Sequence, residues 1–287
     1  VDACPQTWQM DLDLLEDFLT RETLLNNDGE CIYRQSQRCI RAILSVHVQG
    51  NIGDMDRLLA IAARFQLKVV EDAAESLGAT YKGRHGGTFG VIGCSSFNGN
   101  KIISTGGGGM IFTDDEQLAV RARHLTTTAK TDPMEYFHDE VGYNYRLVNI
   151  LAAVGVAQLE KLPEFLQRKR EIAGFYTAAL SGVGDIKFQS VLPEVIPNHW
   201  LYTIRTSHQR ELLTYLNENR ILCRPFWAPM QSLPMYESCI YVTERDNCSQ
   251  IHRSCLAIPC STGITETELE IVAGEIKYFF SNVVSSD

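Results

Sequence analysis

The 287-residue chain contains no C-x-x-C pair, no G-x-x-x-x-G-K-[ST] loop, no dense basic run and no apolar run approaching the roughly 18 residues of a spanning helix. Each absence excludes a class. The nine cysteines are odd in number and fit no zinc template, so reduced structural thiols are expected and no metal site is. With 26 Lys and Arg against 35 Asp and Glu, and a net charge of -9, nothing supplies the basic stripe that a nucleic acid would need. The opening VDACPQTWQMD has neither the basic flank nor the apolar core of a signal peptide. A cytoplasmic protein with no nucleic-acid or membrane partner is the expectation.

What is present is 45% apolar and 21% charged, enough for a large core and a second, smaller lobe. RAILSVHV (41–48) reads as a buried strand, GDMDRLLAIAARFQ (53–66) as an amphipathic helix and LKVVED (67–72) as a second buried strand. GCSSF and GGMIFT give two further short strands, and DDEQLAVRARHL a helix capped by Asp114 or Asp115. This alternation implies an α/β sheet with helical crossovers. From about Val148 the pattern becomes helical, with NILAAVGVAQLEKL and, after Pro163, PEFLQRKREIAGFYTAAL. Beyond Gly182 the strand HWLYTIR and the helices RELLTYLNENR and TETELEIVAGEIKYFF suggest a compact α+β lobe. The expected division is therefore 1–181 and 182–287.

One lysine, Lys101, stands between an aromatic strand-like segment and four glycines in SFNGNKIISTGGGGM. Asp72 ends the strand KVVED, where ligands bind in open α/β sheets. Alone, Asp72 reads as a helix N-cap and the glycines as a flexible turn. Together, a lysine and an aspartate on neighbouring strand ends are what pyridoxal phosphate requires. The lysine carries the aldehyde and moves a proton, while the aspartate keeps the ring nitrogen protonated. Ser96 could donate its hydroxyl to the phosphate.

VEDAAESLGATYKGRHGGTFGVIGCSSFNGNKIISTGGGGMIFT, followed by HDEVGYNYRLVNILAAVGVAQLEKL, resembles the DegT/DnrJ/EryC1/StrS family of pyridoxal-phosphate sugar aminotransferases. The resemblance runs from Val1 to near the C-terminus, through NHWLYTIR, RPFWAPMQSLPMY and LAIPCSTGITETE. It implies the aspartate-aminotransferase-like α/β fold (fold type I), with a large domain built on a mainly parallel sheet and a smaller α+β C-terminal domain. It also implies a homodimer with shared active sites, acting on a nucleotide-linked keto sugar with L-glutamate as donor.

Position by position, the resemblance makes Lys101 the cofactor lysine, Asp72 the ring-nitrogen partner and Ser96 the phosphate-binding serine. Glu75 falls beside the cofactor's phenolic oxygen, where the family usually has Gln or His. An ionised carboxylate would repel that oxygen, so Glu75 is protonated, turned toward a cation, or a subfamily variant. Asn144 would reach the neighbour's cofactor phosphate and Arg146 the carboxylate or diphosphate of the substrates. The alternatives are a cap or turn for Asn144 and a salt bridge for Arg146. His199 and Arg224 match substrate-facing positions in some members, and read equally as a core histidine and a strand-end salt bridge. Tyr143 and Tyr145 read as packing residues.

Two departures from the family remain. A stretch that would carry the other half of the phosphate loop and the residue stacking on the ring is expected before Val1, so weak cofactor binding is expected of these 287 residues. NNDGECIYRQSQRCIRAIL is longer than the common link, as in members acting on N-acetylated 4-keto hexoses. The implied substrate is a UDP-linked 2-acetamido-4-keto-6-deoxy sugar, and the amino sugar would feed surface-glycan synthesis. A sugar dehydratase of the same fold, with His in place of the lysine, a non-catalytic sugar-binding member, and a nucleotide-binding α/β protein without covalent cofactor are the rivals.

Overall fold

Eleven residues from the start, Asp11 accepts hydrogen bonds from the Asp13 and Leu14 amides and begins α1 (Leu12–Glu22), which buries Leu15 and Leu19 one turn apart. A computed structural model describes residues 1–132 and 134–283. After α1 the long link folds into a small antiparallel meander, β1 (Thr23–Leu25), β2 (Cys31–Tyr33) and β3 (Cys39–Ile40). Neither α1 nor this meander is anticipated above, because only two of the α1 side chains are fully buried and the strands are two or three residues long.

The chain then builds the central sheet. β4 (Ala42–Val46) leads through α2 (Met55–Arg64) to β5 (Lys68–Asp72), a parallel neighbour. Asp54 caps α2 on the Arg57 amide, and Met55, Leu58, Ile61 and Ala62 form its buried face. A short hairpin follows, β6 (Thr80–Tyr81) and β7 (Arg84–His85), before β8 (Ile92–Ser96) pairs in parallel with β5. β9 (Gly109–Phe112) returns antiparallel to β8, giving the order β4-β5-β8-β9. Alternation puts Ile43 and Ser45 on the buried face, while Leu44 and Val46 are exposed on the other.

Beyond the sheet come α3 (Glu116–Thr126), capped by Asp115, and a hairpin, β10 (Lys130–Asp132) with β11 (Phe137–His138). Two helices follow, α4 (Asn149–Glu160) and α5 (Leu162–Leu180). The remainder forms a four-stranded antiparallel sheet from β12 (Lys187–Phe188), β14 (Tyr202–Arg205), β15 (Arg224–Pro225) and β16 (Cys255–Ile258), in the order β12-β14-β16-β15. β13 (Val195–Ile196) reaches back to pair with β6. Helices α6 (Gln209–Glu218), α7 (Asn247–Ser254) and α8 (Glu266–Tyr278) complete this part.

There are two main buried clusters. One joins α1, α2, β4 and β5 through Leu19, Met55, Ile43 and Val69. The other joins α5, α6, β14, β16 and α8 through Tyr176, Ile204, Leu216, Leu256 and Ile276, so α5 packs with the C-terminal part. Among the described residues no helix is long and apolar enough to cross a membrane.

Candidate active site

Strand register brings the sequence-predicted groups together. Asp72 sits opposite Val46 on one side and Cys94 on the other, and Ser96 ends β8 opposite Gly109. The carboxylate and the hydroxyl therefore lie at the carboxyl ends of adjacent parallel strands. Asp72 accepts the Ala74 amide at 3.0 Å, closing a turn rather than capping a helix. Its neighbour Glu71 points to the other face and is fully buried against His47 at 2.8 Å, with the Gly87, Phe89 and Gly90 amides also donating to it. Burial pushes the Glu71 carboxyl up, but those bonds outweigh it and hold the group below its ordinary value. The result is a rigid floor beneath Asp72.

After β8 the chain turns at 98–101, where the Lys101 amide donates to the Asn98 carbonyl. The Lys101 amine rests 3.9 Å over the Trp200 ring and 3.9 Å from Glu75 Oε1. Burial pushes the Lys101 ammonium below its ordinary value, against the pull of the Glu75 and Asp72 carboxylates. Burial also raises Glu75, opposed by the Gln49 amide that donates to it at 2.7 Å and by Lys101, and assisted by Asp72. Glu75 is thus turned toward a cation, one of the alternatives that its position leaves open. The glycine run is sterically required at Gly109, where a Cβ would lie 2.3 Å from the Ser95 carbonyl oxygen.

Trp200 is itself fixed. Its indole donates to the Asn100 carbonyl at 2.6 Å, and its amide donates to Asn198 at 2.8 Å. The buried Asn198 side chain donates to the Glu75 and Leu77 carbonyls. Gly50, at φ +79, passes so close that a Cβ there would meet Asn198 Oδ1 at 1.6 Å. Sequence reasoning does not single out Trp200, Asn198 or Gly50. The one signal available was NHW, a polar residue and an aromatic just ahead of a buried strand.

Lys101 and Arg224 line one cleft of about 390 Å³, with Lys169, Trp200 and Cys260 in its wall. Arg224 makes no ion pair among the described residues. Asn144 and Arg146 line a different cleft of about 830 Å³, beside Gly107–Gly109 and Arg123. Asn144 bridges to Thr127, and the α4 cap is Val148 rather than Asn144. Arg146 has no ion pair among the described residues. Tyr143 and Tyr145 stack on each other at 5.1 Å but are 49% and 72% exposed, so within this chain they are not packing residues. His199, at φ 51, lies near Lys169 and Arg170, and burial with those charges pushes it down to about 4. His124, Asp139 and Glu140 form a further cluster on α3 and its neighbouring loop, with Glu140 already paired to Arg121.

The donor set fits pyridoxal phosphate. The Lys101 amine lies beside Glu75 and within the influence of the Asp72 carboxylate, Asp72 and Ser96 end adjacent strands, and an added Cβ at Gly99, Gly106 or Gly107 would meet open space.

The DegT/DnrJ/EryC1/StrS aminotransferase family model matches residues 1–277. The chain belongs to that family, whose members are pyridoxal-phosphate aminotransferases of the fold type I class. It is 38% identical over 239 residues to GDP-perosamine synthase of Escherichia coli O157:H7, covering 82% of this chain and 60% of that one. It is 34% identical over 285 residues to GDP-perosamine synthase of Caulobacter vibrioides, covering 95% and 70%. A DegT DnrJ EryC1 StrS aminotransferase from Brucella abortus superposes with a TM-score of 0.87 at 25% identity, covering 98% of this chain and 73% of the other.

Proposed function

We propose that this chain transfers an amino group from L-glutamate to the keto carbon of a nucleotide-linked 4-keto-6-deoxy sugar. The observation that carries the reading is Lys101, part-desolvated between Trp200 and Glu75 at the strand ends that present Asp72 and Ser96. When bound, pyridoxal phosphate supplies an aldehyde and an electron-accepting ring. Lys101 would hold the aldehyde carbon and carry a proton at Nζ, for which its depressed basicity suits it. Asp72 would keep a proton on the ring nitrogen, and Ser96 would donate to the phosphate. Arg224 would bind a substrate carboxylate in the Lys101 cleft.

Asn144 and Arg146, in the other cleft, would serve a second copy of the chain in a homodimer with shared sites. The exposure of Val148, Ile150, Val154, Val156 and Leu159 beside them supports that assembly. The two buried clusters favour a division into a cofactor-binding part, 1–181, and a smaller part, 182–287, although α5 packs in the C-terminal cluster and Leu192 and Val195 in the N-terminal one. A UDP-linked 2-acetamido sugar is the specific substrate proposed. The perosamine synthases among the relatives favour a GDP-linked sugar as the second reading.

The protein is mixed with pyridoxal phosphate, its absorbance is recorded, and borohydride is added before peptide mapping. A stable adduct on Lys101, absent from Lys101→Ala, is expected. Glutamate alone should then yield no more than one equivalent of 2-oxoglutarate per site, and continued release should require a keto sugar nucleotide. An adduct spread over surface lysines would overturn the assignment.

A further inference from the structure

Two reactive side chains that this reaction does not use meet in the wall of the Lys101 cleft. Lys169 is 4% exposed and Cys260, which follows β16, is 6% exposed. The spacing of Lys169, Ile172, Ala173 and Tyr176 puts the lysine on the apolar stripe of α5, where an ammonium group is expensive to bury without a partner. Among the described residues no carboxylate contacts it. Its amine donates instead to the Trp200 carbonyl at 2.8 Å and the Cys260 carbonyl at 2.5 Å, and the Cys260 sulfur lies 3.2 Å away. Nitrogen and sulfur are already at contact distance.

We propose that Lys169 and Cys260 form a covalent modification site, in which a peroxide entering the cleft leads to a direct bond between Nζ and Sγ. The peroxide gives one oxygen to the Cys260 thiol, forming a sulfenic acid, and its other oxygen leaves as water. Sulfur loses the two electrons that the peroxide gains. Lys169, once its extra proton has passed to water, attacks that sulfur with its lone pair. The S–O bond breaks, the departing hydroxide takes a proton from nitrogen, and a second water leaves. This step is redox-neutral. Added thiol reverses it by attacking the sulfur and releasing the amine.

The bond has a consequence for the site. The joined nitrogen keeps one hydrogen, so at most one of the Trp200 and Cys260 carbonyls retains this donor. A buried carbonyl left without a donor destabilises its segment, and Trp200 is the ring on which Lys101 rests. That coupling rests on the proposed role of Lys101, whereas the bond itself does not.

The test treats the full chain with hydrogen peroxide, blocks remaining thiols, digests it and maps peptides before and after dithiothreitol. A peptide pair joined through Lys169 and Cys260, lighter than its sum by two hydrogens and split by dithiothreitol, is expected. It should be missing from Cys260→Ser and from Lys169→Arg. The arginine variant keeps a cationic donor, and a cooperative melt confirms that it folds; there dimedone should trap Cys260 as a sulfenic acid. Cys260 recovered in the unaltered protein as free thiol, sulfinic acid or disulfide, with no bond to Lys169, overturns the proposal. Peroxide should also lower the yield of borohydride-fixed adduct on Lys101 in the unaltered protein but not in Cys260→Ser. An equal fall in both removes the coupling while leaving the peptide result to decide the bond.

Discussion

Helix α8 (ETELEIVAGEIKY) carries four glutamates and a lysine, yet it buries Leu269, Val272, Ala273 and Ile276; helix α4 (NILAAVGVAQLE) has a single acid and buries only Gly155. The difference lies in arrangement. The α8 apolar residues recur at i, i+3, i+4 and i+7 and face one cluster, and Thr265 with Glu268 closes a capping box at its start. Apolar residues surround α4 on all sides, so no single contact within the chain covers them, and the proposed second copy is what would supply the rest. Composition sets how much surface seeks cover, whereas periodicity decides whether the chain alone can supply it.

The deepest break in that contrast should come from Ile276→Ala, at a position with no exposure in the α8 stripe. It should cost about 2–5 kcal/mol, read by urea denaturation. A loss near zero would mean that the cluster closes around the gap.

Asp2→Asn should come next. Asp2 is buried and accepts from Tyr241, Thr243 and the Asn247 and Cys248 amides, tying the start of the chain to α7. Burial opposes its ionised form, but those hydrogen bonds outweigh that and hold the carboxyl well below its ordinary range. A depressed carboxyl contributes stability above its unfolded value, near about 3.9, and loses it as pH falls toward the folded value. The substitution should cost about 1–3 kcal/mol at neutral pH, and the deficit should shrink in acid. A deficit constant with pH would mean that the charge is irrelevant.

The smallest effect on folding should come from Val156→Asp on α4, within about 0.5 kcal/mol in dilute protein, because the side chain is 59% exposed. Its effect on assembly should be the opposite. Sedimentation equilibrium should shift from two chains to one, and an unchanged mass would detach α4 from the proposed interface.

The same distinction explains what could be read from sequence. β4 and β5 carry short apolar runs, β8 is a short segment of small residues before Phe97, and α2 is a clean amphipathic stripe, so their order and the positions of Asp72, Ser96 and Lys101 were legible. The walls of the lysine cleft were not. Trp200, Lys169 and Cys260 come from a strand approach, a helix stripe and a strand end, and only tertiary packing makes them neighbours. Lys169 did leave a trace, as a charge on an otherwise apolar stripe. That Asn144 stands apart from the Lys101 cleft is in line with the resemblance, which assigns it to a neighbour's site, whereas the place of Arg146 was not legible, since local sequence does not say which cleft a loop will enter.

The bond from the Trp200 indole to the Asn100 carbonyl spans 100 residues, and Asn198 reaches the Glu75 carbonyl across 123. At about 5–20 residues per second, a ribosome would release Lys101 roughly 5–20 s before the aromatic ring that shelters it. For that interval the lysine is an ordinary exposed amine on a growing chain. The reactive pocket is thus assembled late in synthesis, and a chain cut short before Trp200 carries the lysine without its shelter.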